Sequence, residues 1–231
     1  LGTRWSTAAA THVIAISQAT AADLQTILRV PAAKIRVVHE AANAPPRPTA
    51  EEIVATRSRY QLARPYAFYV GTLQPRKNLA RLITAYEQLC QRGEVEFDLV
   101  LAGKAGWLSE RIVAQAKQSP YANRIHLPGY VADDDLPALM AGARLFAYPS
   151  LYEGFGLPIL EAQQLGVPVM TAKGSSLPEV AGDAALYVDP TDIEAIAQAM
   201  LRLSQDESLR QELIAAGQRN VQRFSWAKAA A

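Results

Sequence analysis

Cysteine is nearly absent from this 231-residue chain, where Cys90 stands alone. A single thiol excludes an internal disulfide framework and a multi-cysteine zinc site. Its place on an apolar helical stripe makes it a small core residue rather than a reactive thiol. Histidine is scarce too. His12, His39 and His126 are scattered, and none has the spacing of a metal site or a nucleophile–base pair. His126, inside an apolar run, reads as a partly buried residue with a satisfied partner. Neither charge sign is in excess: 23 basic and 22 acidic residues leave a net charge of +1. Without a concentrated basic face there is no electrostatic case for a nucleic-acid partner. No apolar run approaches the ~18 residues needed to cross a bilayer, and no signal peptide is visible. The expected compartment is the reducing cytoplasm. Neither a Walker A string nor a G-x-G-x-x-G after the first strand occurs, which weakens ATPase and dinucleotide readings.

Apolar residues make up 50% of the chain, enough to predict a folded protein rather than a disordered one. Its length allows one large or two small domains. Short β-rich runs at 66–70, 97–102, 125–127, 145–147, 167–171 and 185–188 alternate with helical patterns. Several are apolar on both faces, as buried parallel strands must be. Leu79, Leu82, Ile83, Tyr86, Leu89 and Cys90 form a helical stripe that Gly93 ends, and Ile193, Ile196, Met200 and Leu203 form another. This alternation predicts an α/β doubly wound parallel sheet, Rossmann-like, with ligands at the carboxyl ends of the strands. The loops at Gly71, Gly103, Gly129 and 148–156 each follow a strand and should share one crevice. Residues 1–44 differ. They read as a strand at 13–16, a helix at 21–28 capped by Ser17 or Thr20, a strand at 35–39, and then a linker, AANAPPRPTA. That unit is too small to be expected to bury its own core. A domain boundary is therefore placed between 1–44 and 45–231.

Two segments carry chemistry. In EGFGLPILE, Glu153 and Glu161 bracket a Gly-x-Gly turn, with Pro158 pre-setting the following helix. Free N–H groups and the helix dipole favour an anion there, such as a diphosphate. Glu161, expected in the first helical turn, could accept both hydroxyls of a ribose; Glu153 would lie nearer a transferred sugar. An ordinary helix start also favours glutamate, so the two carboxylates alone are weak evidence. In VGTLQPRKN, Arg76 and Lys77 sit at a helix start, where cations are disfavoured unless an anion is present. Asp133–Asp135 read as the acidic first turn of a helix rather than as a metal site. Ser175 and Ser176 read as caps of a short helix.

The ordered strings VGTLQPRKN, LVLAGKAGW, IHLPGYVADDDLPALM, FAYPSLYEGFGLPILEAQQLGVPV, SSLPEVAGDAALYVDP and FSW resemble those of retaining GT-B-fold glycosyltransferases of family four, which share an E-x(7)-E motif. The resemblance covers about residues 60 to 228 and corresponds to the carboxyl-terminal, donor-binding lobe. HVIAISQATAADL and KIRVVHEAAN are similar to the end of the amino-terminal domain and the interdomain linker. The resemblance implies that Arg76 and Lys77 clamp the donor diphosphate, with the backbone of Gly154, Phe155, Gly156 and Leu157. Glu161 would hold the ribose, and Tyr130 and Val131 would lie along the base. Glu153 would contact the donor sugar, with Gly71, Thr72, Gly103 and Lys104 lining the cleft. Many relatives carry arginine where this chain has Thr72.

The implied function is hexosyl transfer, mannose preferred, from a nucleotide-diphosphate sugar such as GDP-mannose to a saccharide or lipid-linked acceptor in polysaccharide synthesis. No metal or other cofactor is expected. The acceptor would bind through an amino-terminal domain mostly absent from this chain, so the chain alone is expected to be inactive and open to self-association. Peripheral attachment to a membrane is left open. The alternatives are a non-catalytic nucleotide-binding or assembly module of the same fold, and a generic flavodoxin-like domain.

Overall fold

The structure, a computed structural model, describes residues 2–43 and 46–230. The expected boundary between residues 44 and 45 lies outside the described residues. The chain opens with α1 (Gly2–Ala9), β1 (Val13–Ala15), α2 (Gln18–Thr26) and β2 (Ile35–Val37). β1 and β2 pair in parallel as a separate two-stranded sheet. Both strands end sooner than the sequence predicts, at Ala15 and Val37. Ser17, not Thr20, caps α2: its side chain accepts the Thr20 N–H, so the helix begins at Gln18 rather than Ala21. Ala15, Ala21, Val30 and Ile35 form a small buried cluster, so this unit does have an apolar centre of its own.

A Thr49–Glu52 capping box starts α3 (Ala50–Arg59). The alternation then runs β3 (Tyr66–Val70), α4 (Leu79–Gln91), β4 (Asp98–Ala102), α5 (Ser109–Gln118), β5 (Ile125–Gly129), α6 (Leu136–Ala141), β6 (Leu145–Tyr148) and α7 (Leu157–Gln164). It continues with β7 (Val169–Ala172), α8 (Leu177–Ala181), β8 (Ala185–Val188), α9 (Ile193–Gln205), α10 (Glu207–Asn220) and α11 (Trp226–Ala229). The six runs predicted as strands are the strands of one sheet, in the order β5-β4-β3-β6-β7-β8 and parallel throughout. Every residue of β4, β6 and β7 is buried, which explains why their sequences do not alternate.

The predicted stripe of α4 is the buried face of that helix, with Cys90 partly buried at its margin. Burial pushes the Cys90 thiol up. His126 Nε2 lies 2.9 Å from Asp98 Oδ2, so it has the expected partner. β5 is an edge strand; it contains Pro128, and its pairing with β4 shifts register between Val100 and Ala102. Strand order reverses between β3 and β6. In a sheet of this kind a crevice opens there, outside the carboxyl ends of the strands.

Candidate functional site

Glycines with positive φ stand at the carboxyl ends of three neighbouring strands: Gly71 directly after β3, Gly103 directly after β4, and Gly129 as the last residue of β5. Hydrogen bonds continue past the strands, from Gly103 N to the Gly129 carbonyl at 2.7 Å and from Leu73 N to the Lys104 carbonyl at 2.9 Å. A Cβ on Gly103 would lie 2.0 Å from the Gly71 carbonyl oxygen, so only glycine permits this approach. These loops surround a cavity of about 310 Å³ lined by Val70, Gly71, Thr72, Gly103, Lys104, Tyr130, Val131, Asp133 and Leu136. Lys104 Nζ sits 4.5 Å from the centre of the exposed Tyr130 ring. The Tyr130 hydroxyl donates to Asp133 at 2.9 Å. A second cavity of about 280 Å³ adjoins the first, sharing Asp133 and Leu136, and Asn43 and Glu161 also line it.

Across the switch point lies an ionic cluster. After β3 the chain makes a 3-10 turn, Pro75–Lys77, and Asn78 then takes a left-handed conformation. Arg76 Nη1 lies 2.7 Å from Glu153 Oε2, and Lys77 Nζ lies 2.7 Å from Glu153 Oε1. Lys77 also donates to the Tyr148 hydroxyl at 2.8 Å, and Arg76 donates to the Tyr152 carbonyl. Lys77 and Glu153 are 8% and 6% exposed, so this contact is effectively inside the protein. Burial alone would push Glu153 up; the hydrogen bond and charge of Lys77 outweigh it and hold the carboxyl below its ordinary value. Burial pulls Lys77 below the usual lysine range, which Glu153 offsets only in part. The Tyr148 and Tyr69 hydroxyls are pushed far up by burial and stay neutral. Their rings stack at 5.9 Å. Tyr69 reaches the Thr72 carbonyl, so this pair joins the ionic cluster to the glycine-lined cavity.

The turn between Glu153 and α7 is held from behind. Ser175 accepts the Glu153 N–H at 3.0 Å, and the Ser176 hydroxyl lies 2.6 Å from the Phe155 carbonyl and 2.9 Å from that of Glu153. Both serines thus serve this loop. Neither caps α8, as the sequence had suggested, and no side-chain cap is present there. Phe155 and Leu157 pack into a small cluster with Leu160, Val180 and Phe224. The N–H groups of Gly154, Phe155 and Gly156 donate to no group among the described residues.

Two further expectations need correction. Glu161 is the fifth residue of α7, in its second turn rather than its first, because the helix begins only after Gly156. Its carboxyl is pushed up by burial and accepts no hydrogen bond among the described residues. Asp133–Asp135 precede α6 instead of forming its first turn. Asp135 accepts hydrogen bonds from Arg59 and Tyr60, while Asp133 serves Tyr130.

The sequence-predicted residues therefore fall into linked groups. Gly71, Thr72, Gly103, Lys104, Tyr130 and Val131 line one cavity, and Glu161 lines its neighbour. Arg76, Lys77 and Glu153 form the ionic cluster, and Gly154 to Leu157 follow directly from it. Sequence reasoning passed over Tyr69 and Tyr148, whose signal was a hydroxyl at or near the carboxyl end of an otherwise apolar strand. Ser17, Thr20 and Asn43 were out of reach, because only the fold brings residues so distant in sequence to the loop and the cavity.

Residues 55–220 match the family described as glycosyl transferases group 1. The O-antigen chain mannosyltransferase B of Escherichia coli is 44% identical over 176 residues, which are 76% of this chain and 46% of that protein. The serotype-specific mannosyltransferase WbdA of Escherichia coli is 35% identical over 184 residues, 79% of this chain and 23% of that protein. The chain thus spans less than half the length of these relatives. A glycosyltransferase structure from Rickettsia africae superimposes with a TM-score of 0.84 at 20% identity, covering 95% of this chain and 60% of that one. Anabaena Alr3699/HepE in complex with UDP and glucose gives 0.82 at 24% identity, covering 95% and 61%. These likenesses place the fold with the GT-B glycosyltransferases.

Proposed function

Because the chain belongs to the group 1 glycosyl transferases, we propose that it carries the donor-binding lobe of a retaining hexosyltransferase of family four, with GDP-mannose as donor. The observation that supports this reading most is the Arg76–Lys77–Glu153 cluster at the switch point, beside a cleft that ends at Glu161. Two cations face one carboxylate, so one positive charge is left unbalanced where a diphosphate would lie. In this reading residues 45–231 form the donor lobe, and residues 1–44 are the end of an acceptor-binding domain and its linker.

Each group then has a task. Arg76 and Lys77 neutralise the leaving diphosphate, aided by the unpartnered N–H groups of Gly154, Phe155 and Gly156. Glu161 accepts the ribose hydroxyls, which offer donors to a carboxylate that has none. Tyr130 and Val131 flank the base. Glu153, the first carboxylate of the E-x(7)-E motif, contacts the sugar and orients the two cations. With its oxygens held by Lys77 and Arg76, it is a poor nucleophile, so retention is assigned to attack from the face the diphosphate leaves. Charge develops on that diphosphate in the transition state, and cations already in place stabilise it without reorganisation. The curated relatives named above are mannosyltransferases, one of them of the O-antigen chain, which favours mannose and a saccharide or lipid-linked acceptor in polysaccharide synthesis.

Calorimetric titration of the chain with GDP, UDP, GDP-mannose and UDP-glucose tests the donor assignment. Binding of GDP and GDP-mannose ahead of the uridine compounds is expected. A folded chain that binds none of the four would overturn the reading.

A further inference from the structure

We propose that Ser17 and Thr20, on the amino-terminal unit, are positioning residues for the diphosphate loop and act through the Gly154 carbonyl. Ser17 is fully buried, and its hydroxyl donates to the Gly154 carbonyl oxygen at 2.6 Å. The Thr20 hydroxyl donates to the same oxygen at 3.1 Å. Ser17 Oγ also accepts the Thr20 N–H at 3.0 Å as the cap of α2, so its direction is fixed at both ends. The carbonyls on either side, of Glu153 and Phe155, are held by Ser176. Three successive carbonyls are thereby tied down, one of them only by the amino-terminal unit.

Peptide geometry turns this into a statement about the N–H groups. In a trans peptide the N–H of the next residue points opposite to the carbonyl. Fixing the carbonyls of Glu153, Gly154 and Phe155 fixes the N–H directions of Gly154, Phe155 and Gly156, the three that have no partner among the described residues. A run of oriented N–H groups is an anion site whose strength depends on that orientation. The contact is also close sterically: a Cβ on Gly154 would lie 3.3 Å from Ile16 Cδ1. Further bonds bracket the loop. The Tyr152 hydroxyl donates to Asp23, and Gln18 N donates to the Glu179 carboxylate at 2.9 Å. The placement of α2 and the geometry of the loop are thus one variable, and any shift of the amino-terminal unit turns the Gly154–Phe155 peptide.

This inference rests on the donor-site reading. Its test compares a nucleoside diphosphate with the matching monophosphate, GDP with GMP and UDP with UMP, by calorimetry. Thr20→Val keeps the shape and loses the hydroxyl; Thr20→Ser keeps the hydroxyl. Ser17→Ala/Thr20→Val is expected to weaken GDP about tenfold while GMP changes by about twofold or less. Thr20→Val alone gives a smaller loss of the same kind, and Thr20→Ser restores wild-type affinity. An unchanged GDP affinity in Thr20→Val, or equal losses for GDP and GMP, would overturn the inference alone. Wild-type protein that binds neither GDP nor UDP would overturn the donor reading and this inference together.

Discussion

Glu153 is buried and Glu161 half-buried, both lie close to the start of α7, and seven residues separate them, yet the protein treats them oppositely. Glu153 is enclosed by Lys77, Arg76 and the Ser175 contact to its backbone, and its carboxyl is held below the ordinary value by the lysine. Glu161 has no such company; burial alone acts on it and pushes it up. Leaving a buried carboxylate unpartnered costs stability. One glutamate is therefore part of the architecture; the other is left without a partner among the described residues, and in the proposed reading a hydroxyl-bearing ligand supplies one. The lesson is that two carboxylates close in sequence can differ in whether the fold itself meets the cost of burying them.

The comparison can be broken hardest at Lys77. Lys77→Met leaves Glu153 buried against Arg76 alone and is expected to destabilise the chain by about 3–5 kcal/mol in urea unfolding. It should also abolish measurable GDP binding. Adding Glu153→Gln should recover most of that stability and none of the binding, because the stranded charge goes and the clamp stays broken.

At Glu161 the expected sign is reversed. Its folded pKa lies above the unfolded value near 4.5, so ionising it opposes folding as pH rises through the folded value. Glu161→Gln should raise stability at neutral pH by on the order of 1 kcal/mol, an advantage that fades as pH falls toward 4.5. It should weaken GDP and GMP alike, since ribose is common to both. Glu153 behaves in the opposite way: its contribution is present above about 4.5 and is lost as pH falls through its depressed folded value. Thermal melts near neutral pH should place Glu153→Gln below wild type and Glu161→Gln above it, and both differences should shrink on acidification, that at Glu161 as pH falls to about 4.5 and that at Glu153 below about 4.5.

The smallest effect belongs to the cavity rim. Lys104→Ala removes a cation lying over an exposed ring, and stability should change by less than about 0.5 kcal/mol. GDP affinity should fall about two- to fivefold. A tenfold or larger loss would move the centre of recognition from Glu161 to the rim.

The sheet was legible because buried parallel strands are apolar throughout, and Tyr66–Val70 and Ala185–Val188 fall where their composition places them. The cations and glycines of the site were legible because they break that apolar pattern at strand ends. What escaped depended on the return of distant chain. Ser175 and Ser176 look like helix caps in any local window, and only the packing of α8 behind the Glu153 turn brings the Glu153 N–H to Ser175 and the Glu153 and Phe155 carbonyls to Ser176. Asp133–Asp135 look like a first turn, but Arg59, Tyr60 and Tyr130 offer better partners than the N–H groups of α6. Glu161 slipped from the first turn to the second because Gly156, at φ 119°, delays the start of the helix. The small cluster around Ala15 and Ile35 was missed because four modest residues separated by loops have no periodicity to detect.

The outer rim of the sheet has a bearing on how this protein behaves when crowded. A regular parallel edge is an invitation to another chain to add a strand. At β5 that invitation is withdrawn twice: Pro128 lacks the N–H that an incoming backbone would need, and the slipped register against β4 breaks the even spacing of the remaining groups. The edge nearest the glycine-lined cavity is thereby guarded against fibrous stacking. The loops beside it can stay open to small solutes while this edge presents no regular backbone ladder to another chain.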